Sequence, residues 1–254
     1  QVVQGNPSSV THQYPLVHRS YTISAQATDG QGTFAAGNTV TVNEAFADPN
    51  ENLVAQVYVD VLGRVANLDG LQFYTNQLSA GTSRAQVVQS ILGSPEYQTR
   101  IVEQFYQDYL GRMADTAGLN NDLSALAAGA TTDQIKASIL GSDEYNQRAG
   151  GTSNGFVSAL YHDLLGRAGN PSEVQGWTQS EAAGVSRTSL ASLFIETTEA
   201  NQYLVQNFYQ KYLHRSADVA GLNAFVQARE HGATEEAVIT ALVASDEYFQ
   251  QAMS

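Results

Sequence analysis

Histidine is the side chain best suited to moving protons near neutral pH, and this chain has five: His12, His18, His162, His214 and His231. Hydrolysis through an activated serine would require one of them beside the nucleophile, oriented by a carboxylate. None recurs at an equivalent position of the internal repeat described below. His162 and His214 fall at the ends of expected helices, where a dipole or capping role accounts for them. Neither His-Glu-x-x-His, Gly-x-Ser-x-Gly nor a phosphate-binding glycine loop occurs, and Asp29-Gly30-Gln31-Gly32 reads as a hairpin turn instead of a helix start. The expectation is a non-enzymatic protein with no catalytic residues.

Four arginines do recur: Arg64, Arg112, Arg167 and Arg215. A guanidinium presents a planar fork that fits a carboxylate. Asp60, Asp108 and Asp163 stand four residues before the first three, but Lys211 holds that place before Arg215. Glu96, Glu144, Glu199 and Glu247 follow all four. Each Arg is therefore expected to pair with the Glu of its own repeat, tying the first helix to the end of the third. Breaking one side would cost about 3–5 kcal/mol if the pair is fully desolvated. Asn67, Asp115, Asn170 and Asp218 offer one loop oxygen per repeat, whereas calcium takes roughly six to eight. They are read as helix N-caps, with calcium ligation as the lesser alternative, and no other metal or cofactor is expected. Trp177, with Tyr74 and Phe225 at equivalent positions, has the shape of a sugar-stacking platform. The equivalent Asp122 speaks against a shared binding role and favours core packing.

The elements that position these residues come from a fourfold repeat anchored at Gly63-Arg64, Gly111-Arg112, Gly166-Arg167 and His214-Arg215. Each repeat reads as three helices. The first carries an apolar stripe, as in Ile101, Val102, Phe105, Tyr106, Tyr109 and Leu110, and ends at the glycine. The second starts after the Asn or Asp cap and ends near Gly81, Gly129, Gly184 or Gly232. The third follows Ser83, Thr131, Ser186 or Thr234. Ser94-Pro95-Glu96 predicts one long helix from Ser94 to Leu110, and Thr197 to Leu213 should match it. Gly150, Gly151 and Gly155 interrupt the corresponding helix between repeats two and three. Two helical lobes are expected, at 50–149 and 155–254. Repeats one and three share Ser-Arg (Ser83-Arg84, Ser186-Arg187) and repeats two and four share Gly-Ala-Thr, so a two-repeat block was duplicated.

Residues 1–45 follow a different period. Tyr21 to Thr28 and Asn38 to Asn43 alternate around the Asp-Gly turn, predicting a β-hairpin whose edge residues Tyr21, Ile23, Ala25, Val40 and Val42 are available to a neighbouring chain. The fold class expected is mainly α, with four three-helix repeats behind this β segment.

Charge narrows the partners. Twelve Lys and Arg against 25 Asp and Glu give a formal charge of -13, which repels nucleic acid. Only two residues are Lys, and no basic run exists to hold an anionic membrane. No apolar run approaches the roughly 18 residues that would span a bilayer, so direct membrane insertion is not expected. The absence of Cys excludes disulfides and thiolate zinc sites.

Gly111-Arg112-Met113-Ala114-Asp115-Thr116-Ala117-Gly118-Leu119, followed by Ser142 to Tyr145, resembles a helical repeat family of unknown function whose usual motif reads G-R-x-P-D-x-x-G-L-x-x-W. That family is distantly similar to phycobilisome linker domains. This chain departs from it with Ala or Gly in place of Pro, Asn67 and Asn170 in place of Asp, and Trp only at Trp177. Residues 8 to 43 resemble the last strands of a PKD-type immunoglobulin-like domain. The resemblance implies an extracellular or cell-surface bacterial protein, a structural part of a surface layer, adhesin or filament that self-assembles through its β segment. The alternative is a carbohydrate-binding module holding a secreted protein to surface glycan.

Overall fold

The computed structural model describes residues 48–253 in full and the backbone of residues 19–23, 26–29, 32–35 and 40–44. It is mainly helical, and it divides into two compact units, residues 1–83 with 252–254, and residues 84–251.

In the first unit, β1 (Arg19–Ile23) pairs antiparallel with β4 (Val40–Glu44), with Tyr21 opposite Val42 and Ile23 opposite Val40. β2 (Gln26–Asp29) pairs with β3 (Gly32–Ala35). The stretch from Tyr21 to Thr28 is thus shared between two strands with different partners, where the alternation alone suggested one continuous strand. Ala25 and the stretch Ser9 to Tyr14, with His12 and His18, lie outside the described residues. Asp48 accepts the Asn50 N–H at 2.8 Å and starts α1 (Pro49–Val57), with Pro49 at a position where its missing N–H costs nothing. α1 runs into a π turn (Tyr58–Leu62), and after Gly63 the chain enters α2 (Leu68–Ser79), capped by Asn67. Leu53, Val54, Val57 and Leu71 are buried.

The second unit holds twelve helices among the described residues. Repeat one contributes α3 (Arg84–Leu92). Repeat two contributes α4 (Pro95–Phe105) with its π turn (Tyr106–Leu110), α5 (Thr116–Ala127), α6 (Thr132–Leu140) and α7 (Asp143–Arg148). Repeat three is α8 (Ser153–Leu165), α9 (Pro171–Ala182) and α10 (Arg187–Ile195). Repeat four is α11 (Thr198–Leu213), α12 (Val219–Glu230), α13 (Glu235–Val243) and α14 (Asp246–Gln251). Ser94 caps α4, which continues through its π turn to Leu110, and Thr197 caps the 16-residue α11, so both long helices are present. Gly63, Gly111 and Gly166 end their helices at φ of 66°, 65° and 65°. His214 adopts φ 52° at the same place, the left-handed conformation that costs an ordinary side chain energy.

The expected division into lobes at 149/155 does not describe the packing. Gly150 and Gly151 do break the helix between α7 and α8, but the hydrophobic core passes across the break. Phe105, Leu140, Tyr145, Phe156, Leu160, Leu190 and Phe194 belong to one buried cluster. The reason is an exchange of third helices. α6 of repeat two packs on α10 of repeat three, and α13 of repeat four packs on α3 of repeat one. A glycine pair can interrupt backbone hydrogen bonding without separating the side chains on either side of it.

Candidate functional site

The recurrent arginine stands at the centre of a small repeated station. In repeat two, Arg112 Nε and Nη2 donate to Glu144 Oε1 and Oε2 at 2.6 and 2.7 Å. Arg167 meets Glu199 at 2.5 and 2.8 Å, and Arg215 meets Glu247 at 2.5 and 2.7 Å. Each is a bidentate fork reaching 32 residues along the chain, the geometry in which Arg exceeds Lys. Arg64 and Glu96 belong to different compact units; Arg64 Nη1 donates to the Val65 carbonyl at 3.0 Å.

Under each guanidinium lies a tyrosine of the first helix: Tyr58, Tyr106, Tyr161 and Tyr209, with ring centroids 5.1, 5.2, 4.9 and 5.0 Å from the guanidinium carbon. The loop cap completes the arrangement. Asn67, Asp115, Asn170 and Asp218 accept the N–H of Gly70, Gly118, Glu173 and Gly221. The glycine of Gly-Leu is dictated by the tyrosine, because a Cβ at Gly118 would stand 2.6 Å from the Tyr106 hydroxyl and one at Gly221 2.2 Å from that of Tyr209. Repeat three carries Glu173 there instead; it caps the backbone of Asn170 and also receives Arg167 at 3.0 and 3.1 Å. The position eleven residues after the anchor holds Tyr74 and Phe225, edge-on to Tyr58 and Tyr209, in repeats one and four, and Asp122 and Trp177 in repeats two and three.

These pairs are weaker than full desolvation would make them, which corrects the expected cost. The arginine and glutamate side chains each keep more than a third of their surface exposed. Hydrogen bonding from Arg112 holds the Glu144 carboxyl below the usual carboxylate range, and Arg215 does the same to Glu247. Arg112→Ala should cost about 1 kcal/mol, shifting the melting midpoint by about 2–4 °C. A loss of 3 kcal/mol or more by urea titration would show that the station is sealed from water.

Two further pairs exchange partners between repeats. Arg187 of repeat three meets Asp143 of repeat two, and Arg84 of repeat one meets Asp246 of repeat four. They hold the same exchange that the third helices make, so the shared Ser-Arg motif of repeats one and three is explained by an acid in repeats two and four.

The one strongly buried charge cluster among the described residues lies between α6 and α13. Lys136 and Glu235, each 5% exposed, pair directly. Lys136 Nζ also stands 5.2 Å from the Phe105 ring centroid. Asp133, 4.0 Å from Lys136 Nζ, accepts from Arg229 Nη2 at 2.7 Å. Burial pushes the Lys136 ammonium towards neutrality, but the Glu235 and Asp133 carboxylates overcome it and hold the group above the ordinary lysine value. Burial pushes the Glu235 carboxyl up, against the pull of Lys136. All four side chains are engaged with one another, which makes the cluster an internal clasp. No glycine, nucleophile pair or repeated spacing marked it in the sequence. Its signal was Lys136 itself, one of only two lysines, set in the apolar stretch of a third helix.

Burial also pushes the phenols of Tyr106 and Tyr109 up to about 12, with the Asp122 and Glu235 carboxylates adding to the effect. An unfolded tyrosine ionises near pH 10. Above that pH the folded chain keeps protons that the unfolded chain releases, so this stability is present below about pH 10 and is lost as the pH rises towards 12. Tyrosinate absorbance should lag behind that of free tyrosine and then rise together with loss of the helical circular dichroism. Ionisation at pH 10 with full helicity retained would contradict the burial of these rings.

Of the histidines, His162 is exposed and meets Asp163 at 2.8 Å, and His231 hydrogen-bonds the Gln227 carbonyl at 2.7 Å. Among the described residues no three His, Asp or Glu side chains are grouped to hold a metal ion. Trp177 rests on Phe194, ring centroids 4.6 Å apart, and is half-buried against the core. Among the described residues no helix is long and apolar enough to cross a membrane.

No curated protein and no solved structure matches this chain. The model of a domain of unknown function, DUF4214, matches residues 41–101, 136–204 and 200–252. These matched segments cover more than half of the chain and contain the arginine anchors of repeats one, three and four, and the chain belongs to the DUF4214 family.

Proposed function

We propose that this protein is a non-enzymatic structural module of a secreted bacterial protein, working in a surface layer, adhesin or filament and assembling through its N-terminal β segment. The observation that carries the reading is the use made of the recurrent polar residues. Arg112, Arg167 and Arg215 are spent on bidentate pairs inside their own repeats, the Asx residues on helix caps, and Arg84 and Arg187 on pairs between repeats. What recurs serves the scaffold. The resemblance of residues 8 to 43 to the end of a PKD-type domain supports a place outside the cell, with which the Cys-free, acidic composition is compatible.

Assembly follows from the ribbons. Among the described residues β1 pairs with β4 and β2 with β3, each as a two-stranded sheet, so each ribbon has outer edges whose backbone groups a second chain can pair. The β segment and the helical repeats are unlike surfaces, and a contact between unlike surfaces of two copies is head-to-tail and not a closed dimer. Light scattering after size exclusion should show larger species for the full chain than for a chain lacking residues 1–45, with equal helicity per helical residue. Assembly unchanged by the deletion would remove the β segment from this role. A glycan array with the full chain tests the carbohydrate-binding alternative, for which Trp177, packed on Phe194, offers little free ring face.

A further inference from the structure

The halves of the chain repeat at an offset of 103 residues, Gly63 to Gly166 and Gly111 to His214. That duplication puts two equivalent cavities into the 84–251 unit, on either side of the Gly-Ala-Thr loops of repeats two and four. The cavity beside repeat three has a volume of about 400 Å³, and Arg229 stands in its wall. The Arg229 side chain is 5% exposed. It donates to Asp133 Oδ2 at 2.7 Å, to Asn201 Oδ1 at 3.1 Å and to the Ala233 carbonyl at 2.7 Å. This cavity therefore supplies its own guanidinium to its own three acceptors.

The cavity beside repeat one, about 390 Å³, keeps the acceptors and lacks the donor. The offset turns Asp133 into Glu236, Asn201 into Gln98 and Ala233 into Ala130, and all three line this second cavity. Where Arg229 would stand, the chain has Leu126. Glu236 is the one charged residue of its lining and has no basic partner among the described residues. Thr132 and Thr240 also line the cavity, each more than nine-tenths buried, and neither hydroxyl has a hydrogen-bond partner. A buried polar group left unpaired is costly, so the site is built for a polar occupant.

We propose that the Glu236 cavity binds a guanidinium group, supplied either by free arginine or by an arginine side chain of a peptide. The carboxylate takes the fork, Gln98 and the Ala130 carbonyl take the places of Asn201 and the Ala233 carbonyl, and Leu92 and Leu126 cover the flat apolar faces of the group. The ammonium of lysine has no planar fork and fits the arrangement poorly. This site is independent of the β segment, and it would remain if the assembly role failed.

The test titrates the full chain with arginine, with an acetylated and amidated Gly-Arg-Gly peptide, and with lysine, following amide shifts of Gln98, Ala130 and Glu236 by NMR. Arginine or the peptide should shift these amides, and lysine should bind at least about tenfold more weakly. Binding of the peptide alone identifies the source as a protein arginine, and binding of both identifies the side chain as sufficient. Glu236→Gln should weaken binding by about tenfold with the melting midpoint little changed. Leu126→Arg should abolish binding, because the chain then fills the site as Arg229 fills its counterpart. No shift with either arginine probe, equal binding of lysine, or undiminished binding by Glu236→Gln would overturn the proposal.

Discussion

Lys136→Met is expected to destabilise the 84–251 unit by about 3–5 kcal/mol, because it leaves Glu235 buried without the charge that faces it. Changing both partners should be far milder than changing one, since the desolvation cost of each ion disappears with the ion. The chain contains the design for the double variant. The duplication places Ile239 where Lys136 stands and Thr132 where Glu235 stands, so the other half is packed without an ion pair at this point. Lys136→Ile with Glu235→Thr should therefore lie within about 1 kcal/mol of the parent chain or above it. Urea titration at neutral pH, followed by far-ultraviolet circular dichroism, measures both. Equal losses in the single and the double variant would mean that Lys136 contributes through its packing on Phe105 and not through compensation of Glu235. Arg229 offers Glu235 no rescue in the single variant, because it is already engaged by Asp133.

The same half-to-half comparison shows which features a sequence displays. The arginine station was legible because its parts recur in register: Gly-Arg, the Asx cap, Gly-Leu and the distant Glu are fixed by backbone geometry and by a fork that one residue type makes best. The recurrent tyrosine beneath it was hidden in plain view. Tyr58, Tyr106, Tyr161 and Tyr209 read first as members of an apolar stripe, and their contact with the arginine emerges only when the helix brings position −5 beneath the loop. Burial of the pairs was overestimated, because a bidentate spacing says nothing of how much water covers it. Of the buried cluster only Lys136 left a mark, as a lysine in the apolar stretch of a third helix, and its partners were not legible. Asp133 and Lys136 come from α6, Glu235 from α13 and Arg229 from α12, almost a hundred residues on, and no spacing rule joins residues that meet only in the tertiary packing. The division into lobes failed for the same reason. Gly150 and Gly151 report a break in the local backbone, which a sequence displays, whereas continuity of the core depends on which distant helices meet.

That continuity yields the second large expected effect. Phe156 stands in the first turn of α8, beyond the glycine break, is fully buried, and meets Tyr145 from the other side of the break edge-to-face with ring centroids 6.0 Å apart. Phe156→Ala removes this bridge and should cost about 3–5 kcal/mol, the transfer energy of the ring together with the cavity it leaves. The manner of unfolding discriminates more sharply than the magnitude. If repeats two and three were separate bodies, the loss would fall on α8 to α10, while α4 to α6 kept their stability. With α6 packed on α10 and both in one cluster, amides of the two helices should lose protection together in native-state hydrogen exchange, and calorimetry should show one transition for this unit. Protection lost from α10 in Phe156→Ala with that of α6 unchanged would restore the boundary at the glycines and reduce the exchanged helices to a surface contact.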